Sequence, residues 1–190
     1  MIEWNTERKQ AAESAGARRP AAGKELTGMI RILFICHGNI CRSPMAESYF
    51  TWLVGQAGLS RYFEIDSAAT SREEIGSSPH RGTIQTLKKY GIPPVPHRAR
   101  QMTAQDAAYY DLLIGMDEEN MWCMQRITRG KAAEKMHMLL EFQADGSLQA
   151  AREVDDPWYT GNFESTWRDV KEGCAGLLAY CRRRWPDFRE

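Results

Sequence analysis

The stretch RILFICHGNICRSPMAE, residues 31–47, runs apolar as far as Ile35, turns small and polar from Cys36, and resumes a helical pattern after Pro44. An apolar run of that length fits a central parallel strand covered on both faces. Ser43 followed by Pro44 reads as an N-cap and a first helical residue. Ala46, Tyr49, Phe50 and Leu53 then keep the i, i+3, i+4, i+7 spacing of one helix face, and Gly55 or Gly58 can close the helix. Strand, loop and helix in that order form the unit of an open α/β sheet, which carries its ligands where strand carboxyl ends meet helix N-termini.

The rest of the chain repeats the unit. YFEIDSA (62–68), YYDLLIGM (109–116) and KMHML (135–139) read as further strands. A helix opening at Pro79 and ending at Gly91 follows the first of these, and Asp117 closes the second before a helix in DEENMWCMQRI. Phe163, Trp167, Val170, Cys174, Leu177 and Cys181 recur at spacings of four and three, the pattern of a final long helix. Strands alternating with helices predict a single α/β domain with a central four-stranded parallel sheet flanked by helices. Its expected span is residues 29–185. Residues 1–28 have only Trp4 and Leu26 as sizeable anchors and read as a poorly ordered extension, with 186–190 as a tail.

Composition narrows the function. Lys plus Arg and Asp plus Glu are both 25, so no net positive charge favours a nucleic acid or another polyanion. No apolar run reaches the ~20 residues of a membrane span, and the first 28 residues lack the order of a signal peptide. The five cysteines are odd in number and without framework spacing, which predicts reduced thiols and a cytoplasmic protein. There is no CxxC pair for a zinc ribbon or redox motif, and no GxxxxGK[ST] nucleotide loop. Neither metal nor cofactor is expected.

The loop from Cys36 to Arg42 collects backbone N–H groups, a helix N-terminus and a guanidinium around one small space, which suits a tetrahedral oxyanion. The same positive field favours thiolate over thiol at Cys36. A thiolate in a phosphate-shaped cradle implies attack on phosphorus and a cysteinyl-phosphate that water later hydrolyses. Arg42 can grip two equatorial oxygens and follow them into the transition state, which lysine cannot. Ser43 can donate to the sulfur and ease its departure while capping the helix. Taken singly, Cys36 and Cys41 could be packed cysteines and Arg42 a surface charge; their joint placement is what points to chemistry.

CHGNICRSPMAE resembles the signature of the low-molecular-weight protein tyrosine phosphatases, and DDPWYTGNFESTW resembles the family's second mark, with DSAATS and HRARQ in order between them. The similarity covers roughly residues 29–185. It implies a flavodoxin-like fold of the phosphotyrosine phosphatase I type, with residues Cys36, His37, Gly38, Asn39, Ile40, Cys41 and Arg42 as the phosphate loop. It further implies an Asp-Pro general acid, matched by Asp156 and Pro157; Asp155, which does not precede the proline, is the rival. Protonation helps an aryl oxygen leave, and the resulting carboxylate can activate water. The larger tyrosine phosphatases place the cysteine loop late and the acid upstream, the reverse of the order here.

The resemblance also implies supporting roles. Asn39 matches a loop asparagine in the left-handed conformation, which Asn tolerates. Ser67 and His97 match its hydrogen-bonding partners, with Glu47 behind His97. Trp158 and Tyr159 stand where the family has aromatics that wall the cleft, Trp158 in place of the more usual tyrosine. With Ile40 and His37, itself a departure from the family pattern, they make up the expected substrate cleft. Cys41 matches a redox guard that traps an oxidised Cys36 as a disulfide; packing alone is its other reading. Cys123, Cys174 and Cys181 read as structural. Phosphotyrosine proteins, and a tyrosine kinase among them, are the expected partners.

Two relatives offer alternatives. Phosphoarginine phosphatases carry Thr where this chain has Ile40, a branched apolar residue suited to a phenyl ring. Thiol-coupled arsenate reductases need further cysteines downstream of the first helix, and residues 60–100 have none. At the cleft rim, His37, Arg72, Glu73 and Glu74 are expected to set the preferred sequence around the phosphotyrosine.

Overall fold

A computed structural model describes residues 29–186; the expected extension over 1–28 and residues 187–190 of the expected tail lie outside them. Strands β1 (Ile30–Cys36), β2 (Phe63–Ala69), β3 (Leu112–Gly115) and β4 (Met136–Met138) form one parallel sheet in the order β2-β1-β3-β4. The helices are α1 (Arg42–Gln56), α2 (Arg81–Lys89), α3 (Ala104–Tyr109), α4 (Glu118–Thr128), α5 (Pro157–Thr160) and α6 (Phe163–Arg184).

The period of two along β1 divides its side chains between two cores. Ile32, Phe34 and Cys36 share one with Phe50 of α1 and Trp167 and Val170 of α6, while Leu33 and Ile35 share the other with Met121 and Met124 of α4. Both faces are therefore covered, as the continuous apolar run of β1 requires. α6 lies close against the segment that follows β4 because Gly173 and Gly176 carry no side chain. A Cβ at 173 would meet Leu139 and one at 176 the backbone carbonyl of Phe142.

The chain leaves β1 to one side for β2 and returns on the other for β3, so the crevice of the sheet opens at the carboxyl end of β1. Cys36 stands there, level with Ala69, and Ile35 is level with Gly115. Among the described residues no helix is long and apolar enough to cross a membrane.

β2 and β4 each differ by one residue at both ends from the expected 62–68 and 135–139, and three other boundaries differ with more consequence. α1 begins at Arg42, so Ser43 lies inside the helix and caps nothing; Cys41 occupies the cap position and offers no side-chain bond. The free N–H groups of that first turn are left to the loop. α2 begins at Arg81, with His80 as its cap, Nδ1 accepting from the Gly82 N–H at 3.1 Å, and Pro79 outside. The third strand is shorter than residues 109–116. Thr103 and Asp106 form a reciprocal capping box that starts α3, and α3 takes Tyr109 before β3 begins at Leu112.

Candidate active site

β1 ends by delivering Cys36, and the following loop curls back over its sulfur. The Asn39 N–H donates to Cys36 Sγ at 3.3 Å, and Ser43 Oγ lies 3.1 Å from it. Asn39 makes the curl possible with a φ of 58°, a left-handed conformation. Its side chain fixes the directions of the surrounding bonds. Nδ2 donates to Ser43 Oγ at 2.9 Å and to Ser67 Oγ at 2.8 Å, and Oδ1 accepts from the Arg100 N–H. Because Ser43 already accepts from Asn39, its own hydrogen is free for the sulfur. Asn39, Ser43 and Ser67 are all buried.

His97 and Glu47 brace this network from behind. His97 Nε2 lies 2.8 Å from the Asn39 carbonyl, and Nδ1 lies 3.3 Å from Glu47 Oε2, which also accepts from Ser67 at 2.6 Å. Both neighbours of the ring can only accept, so the ring satisfies them as imidazolium. Burial alone would lower the His97 pKa, but the Glu47 carboxylate and the Asn39 carbonyl outweigh it, and the net shift is upward. α2 adds a further brace. Thr83 Oγ1 reaches the carbonyls of Ile40 and Cys41, and the His80 N–H donates to Ile40 at 2.8 Å.

Arg42, buried at the start of α1, points into the loop between two carboxylates. Nη1 meets Asp117 Oδ2 at 2.5 Å, and Nη2 meets Asp156 Oδ2 at 2.6 Å. Desolvation opposes its charge, yet Cys36, Asp117 and Asp156 more than compensate and raise its pKa. Cys41 is the opposite case. Burial first, then the neighbouring Cys36 and Asp156, push its thiol up to about 12, so it stays protonated.

The two candidate aspartates face different ways. Asp156 caps α5 through Oδ1 and turns Oδ2 to Arg42, whereas the Asp155 carboxylate accepts from Thr160. The backbone of Asp155 is clamped by α6: its N–H donates to Asp169 Oδ2 at 3.0 Å and its carbonyl accepts from Thr166 Oγ1 at 2.9 Å. The preceding Val154 N–H donates to the Met116 carbonyl beyond β3. Asp156 is thus held over the loop by α6 and the end of β3.

A cleft of about 660 Å³ opens over Cys36 and Arg42, walled by His37, Ile40, Trp158 and Tyr159. That volume suits a small organic ligand. Glu73 and Glu74 line it as well, and His37 Nε2 lies 3.1 Å from Glu73 Oε2; Arg72 is not part of the lining. All five cysteines are free. Among the described residues, no three or more His, Cys, Asp or Glu side chains are grouped to hold a metal ion.

Sequence reasoning missed Asp117, Thr166 and Asp169. Asp117 had a signal: it follows the carboxyl end of a central strand, where α/β proteins place functional groups. Thr166 and Asp169 had none, because each looks like an ordinary polar residue of the last helix.

Residues 31–185 match the family model described as low molecular weight phosphotyrosine protein phosphatase. The low molecular weight protein-tyrosine-phosphatase YfkJ of Bacillus subtilis is 41% identical over 151 residues, covering 80% of this chain and 95% of that protein. Its crystal structure superposes with a TM-score of 0.77 at 38% identity, covering 85% and 99%. The human low molecular weight phosphotyrosine protein phosphatase is 35% identical over 149 residues, 77% of this chain and 92% of that one. The crystal structure of a Drosophila arginine phosphatase also superposes, with a TM-score of 0.69 at 25% identity, covering 80% and 97%.

Proposed function

The chain belongs to the low molecular weight phosphotyrosine protein phosphatase family, and we propose that it hydrolyses phosphotyrosine in proteins, and small aryl phosphates, through a cysteinyl-phosphate formed on Cys36 with Asp156 as general acid. The observation that carries this is the convergence of Cys36, Arg42 and Asp156 on one cleft, with the buried Ser43 hydroxyl behind the Cys36 sulfur. The phosphate loop, residues 36–42, presents its N–H groups to the equatorial oxygens while Arg42 grips two of them. To do so, Arg42 exchanges the Asp156 carboxylate for the phosphate, one anion for another. Freed from Arg42 and set beside the anionic phosphate, Asp156 takes up a proton from solvent and gives it to the departing aryl oxygen. In the second step it takes a proton from water, and Ser43 supports the leaving thiolate through its hydroxyl.

Asn39, Ser67, His97 and Glu47 hold the loop in shape, and Asp117 keeps Arg42 aimed. His37, Ile40, Trp158 and Tyr159 receive the ring. Ile40 supports an aryl substrate over phosphoarginine, whose guanidinium gains nothing from a branched apolar wall. Cys41 acts as redox guard: a sulfenic acid on Cys36 condenses with the Cys41 thiol to a disulfide and water. We assign the activity to the domain of residues 29–185, working in the cytoplasm, with phosphotyrosine proteins, a tyrosine kinase among them, as partners.

Hydrolysis of aryl phosphate, phosphotyrosine peptide and phosphoarginine by wild type, Cys36→Ser and Asp156→Ala tests the proposal. Cys36→Ser is expected to be inactive, and Asp156→Ala to fail on poor leaving groups. Retained activity in Cys36→Ser rules out the covalent route, and faster turnover of phosphoarginine than of phosphotyrosine reverses the substrate assignment.

A further inference from the structure

The mouth of the cleft is far more acidic than the chain that forms it. Lys plus Arg balance Asp plus Glu over the whole sequence, at 25 each. The cleft lining holds only Arg42 and Arg152 as permanent cations, and both are already engaged. Arg42 lies between Asp117 and Asp156, and Arg152 between Asp169 and Glu172. Four other lining carboxylates, Glu74, Glu119, Glu153 and Asp155, have no cationic partner among the described residues, and Glu73 meets only His37. They come from three directions: the loop after β2, the first turn of α4, and the acid loop before α5.

An acidic rim works against the phosphate that the cleft is built to hold. A substrate of which only the phosphate reaches the protein approaches a surface of its own sign. A substrate with cations beside the phosphotyrosine turns the same rim into an attraction. The aromatic walls favour the same chemistry, because Trp158 is 60% and Tyr159 85% exposed beside Asp155, leaving ring faces open to a guanidinium or ammonium.

We propose that this mouth selects phosphotyrosines flanked by lysine or arginine, with Glu74, Glu119 and Glu153 reading the flanks. The assignment rests on the phosphatase reading of the cleft and adds the class of substrate to it. The rim makes no separate binding site; it sorts what reaches Cys36.

The test compares phosphotyrosine peptides with Lys and Arg flanks, Ala flanks and Glu flanks, and p-nitrophenyl phosphate as a substrate with none. The proteins are wild type and the triple variant Glu74→Gln, Glu119→Gln, Glu153→Gln. Surface charge pairs of this kind are each worth about two- to threefold. At low salt, wild-type kcat/KM is therefore expected to favour the basic peptide over the acidic one by about tenfold, falling to about twofold in ~0.5 M salt. In the triple variant the preference shrinks to about twofold at low salt, while kcat on p-nitrophenyl phosphate stays unchanged and its KM falls, since a dianion no longer meets the rim. Equal rates on the basic and acidic peptides at low salt, an acidic preference, or a preference untouched in the triple variant overturns the proposal. If p-nitrophenyl phosphate is hydrolysed in any of those cases, the phosphatase reading stands; no hydrolysis of any substrate by wild type removes both.

Discussion

Replacing Asp169 by alanine removes one of the two bonds that hold the Asp155 backbone beneath the proposed acid. The bond joins an N–H to a carboxylate 3.0 Å away and is partly buried, with Asp169 itself 7% exposed. A hydrogen bond to a charged group is worth about 2 kcal/mol. Arg152 loses its 2.6 Å partner as well, but it is half exposed and keeps Glu172, so that loss adds little. If the whole of that ~2 kcal/mol had held the acid loop in its reactive position, the ratio of placed to displaced loop would fall about 30-fold, at 1.36 kcal/mol per decade, which is the upper limit of the loss in rate. Thr166→Val removes the second bond, 2.9 Å from a fully buried hydroxyl, and at ~1 kcal/mol predicts about a fivefold fall.

The assay is kcat/KM, which reports formation of the covalent intermediate, over a series of aryl phosphates. A phenol with several electron-withdrawing groups leaves without a proton, whereas phenol and tyrosine need one. The loss in Asp169→Ala should therefore approach 30-fold for phenyl phosphate and vanish for the most acidic leaving group. A melting temperature measured alongside separates positioning from global instability, which at this size costs ~3 °C per kcal/mol. An equal loss across the series would refute the reasoning, because a misfolded or partly unfolded enzyme loses every substrate alike.

Two further outcomes follow from the loop. Ser43→Ala removes the hydroxyl 3.1 Å from Cys36 Sγ and should slow the second step more than the first, lowering kcat by about ten- to a hundredfold; rapid quenching should then trap more cysteinyl-phosphate, and a fall in kcat without accumulation would assign Ser43 to shape alone. The raised pKa of His97 stabilises the fold fully below its unfolded value, about 6.5, and that contribution is lost as pH rises through the higher folded value. The melting temperature of wild type minus that of His97→Asn should accordingly shrink as pH rises above about 6.5, and a difference that is flat or grows with pH contradicts an imidazolium between Asn39 and Glu47.

What could be read from the sequence follows from how far apart the interacting residues lie. β1 is legible because both faces of a central strand must be apolar, and the run from Ile30 to Ile35 says so without reference to any other segment. The loop is nearly as legible, since the sulfur, the N–H groups, the guanidinium and the helix that orients them belong to one continuous stretch. Even there a local signal misled: Ser before Pro looks the same whether its hydroxyl caps a helix or turns to a thiol seven residues back, and only the closed bonding of Asn39 decides between them. Asp117 is 75 residues from Arg42 and could be paired with it only by knowing that β3 lies beside β1 rather than at the edge. Thr166 and Asp169 are harder still, because their partner is a backbone amide and carbonyl, which carry no signature in the sequence at all. The acidic rim belongs to the same class: Glu74, Glu119 and Glu153 are scattered singly along a chain of zero net charge, and become a field only when the sheet brings three loop ends to one mouth. Chemistry written within one loop is thus readable from that loop, whereas selectivity, which depends on the sum over several loops, waits for the fold.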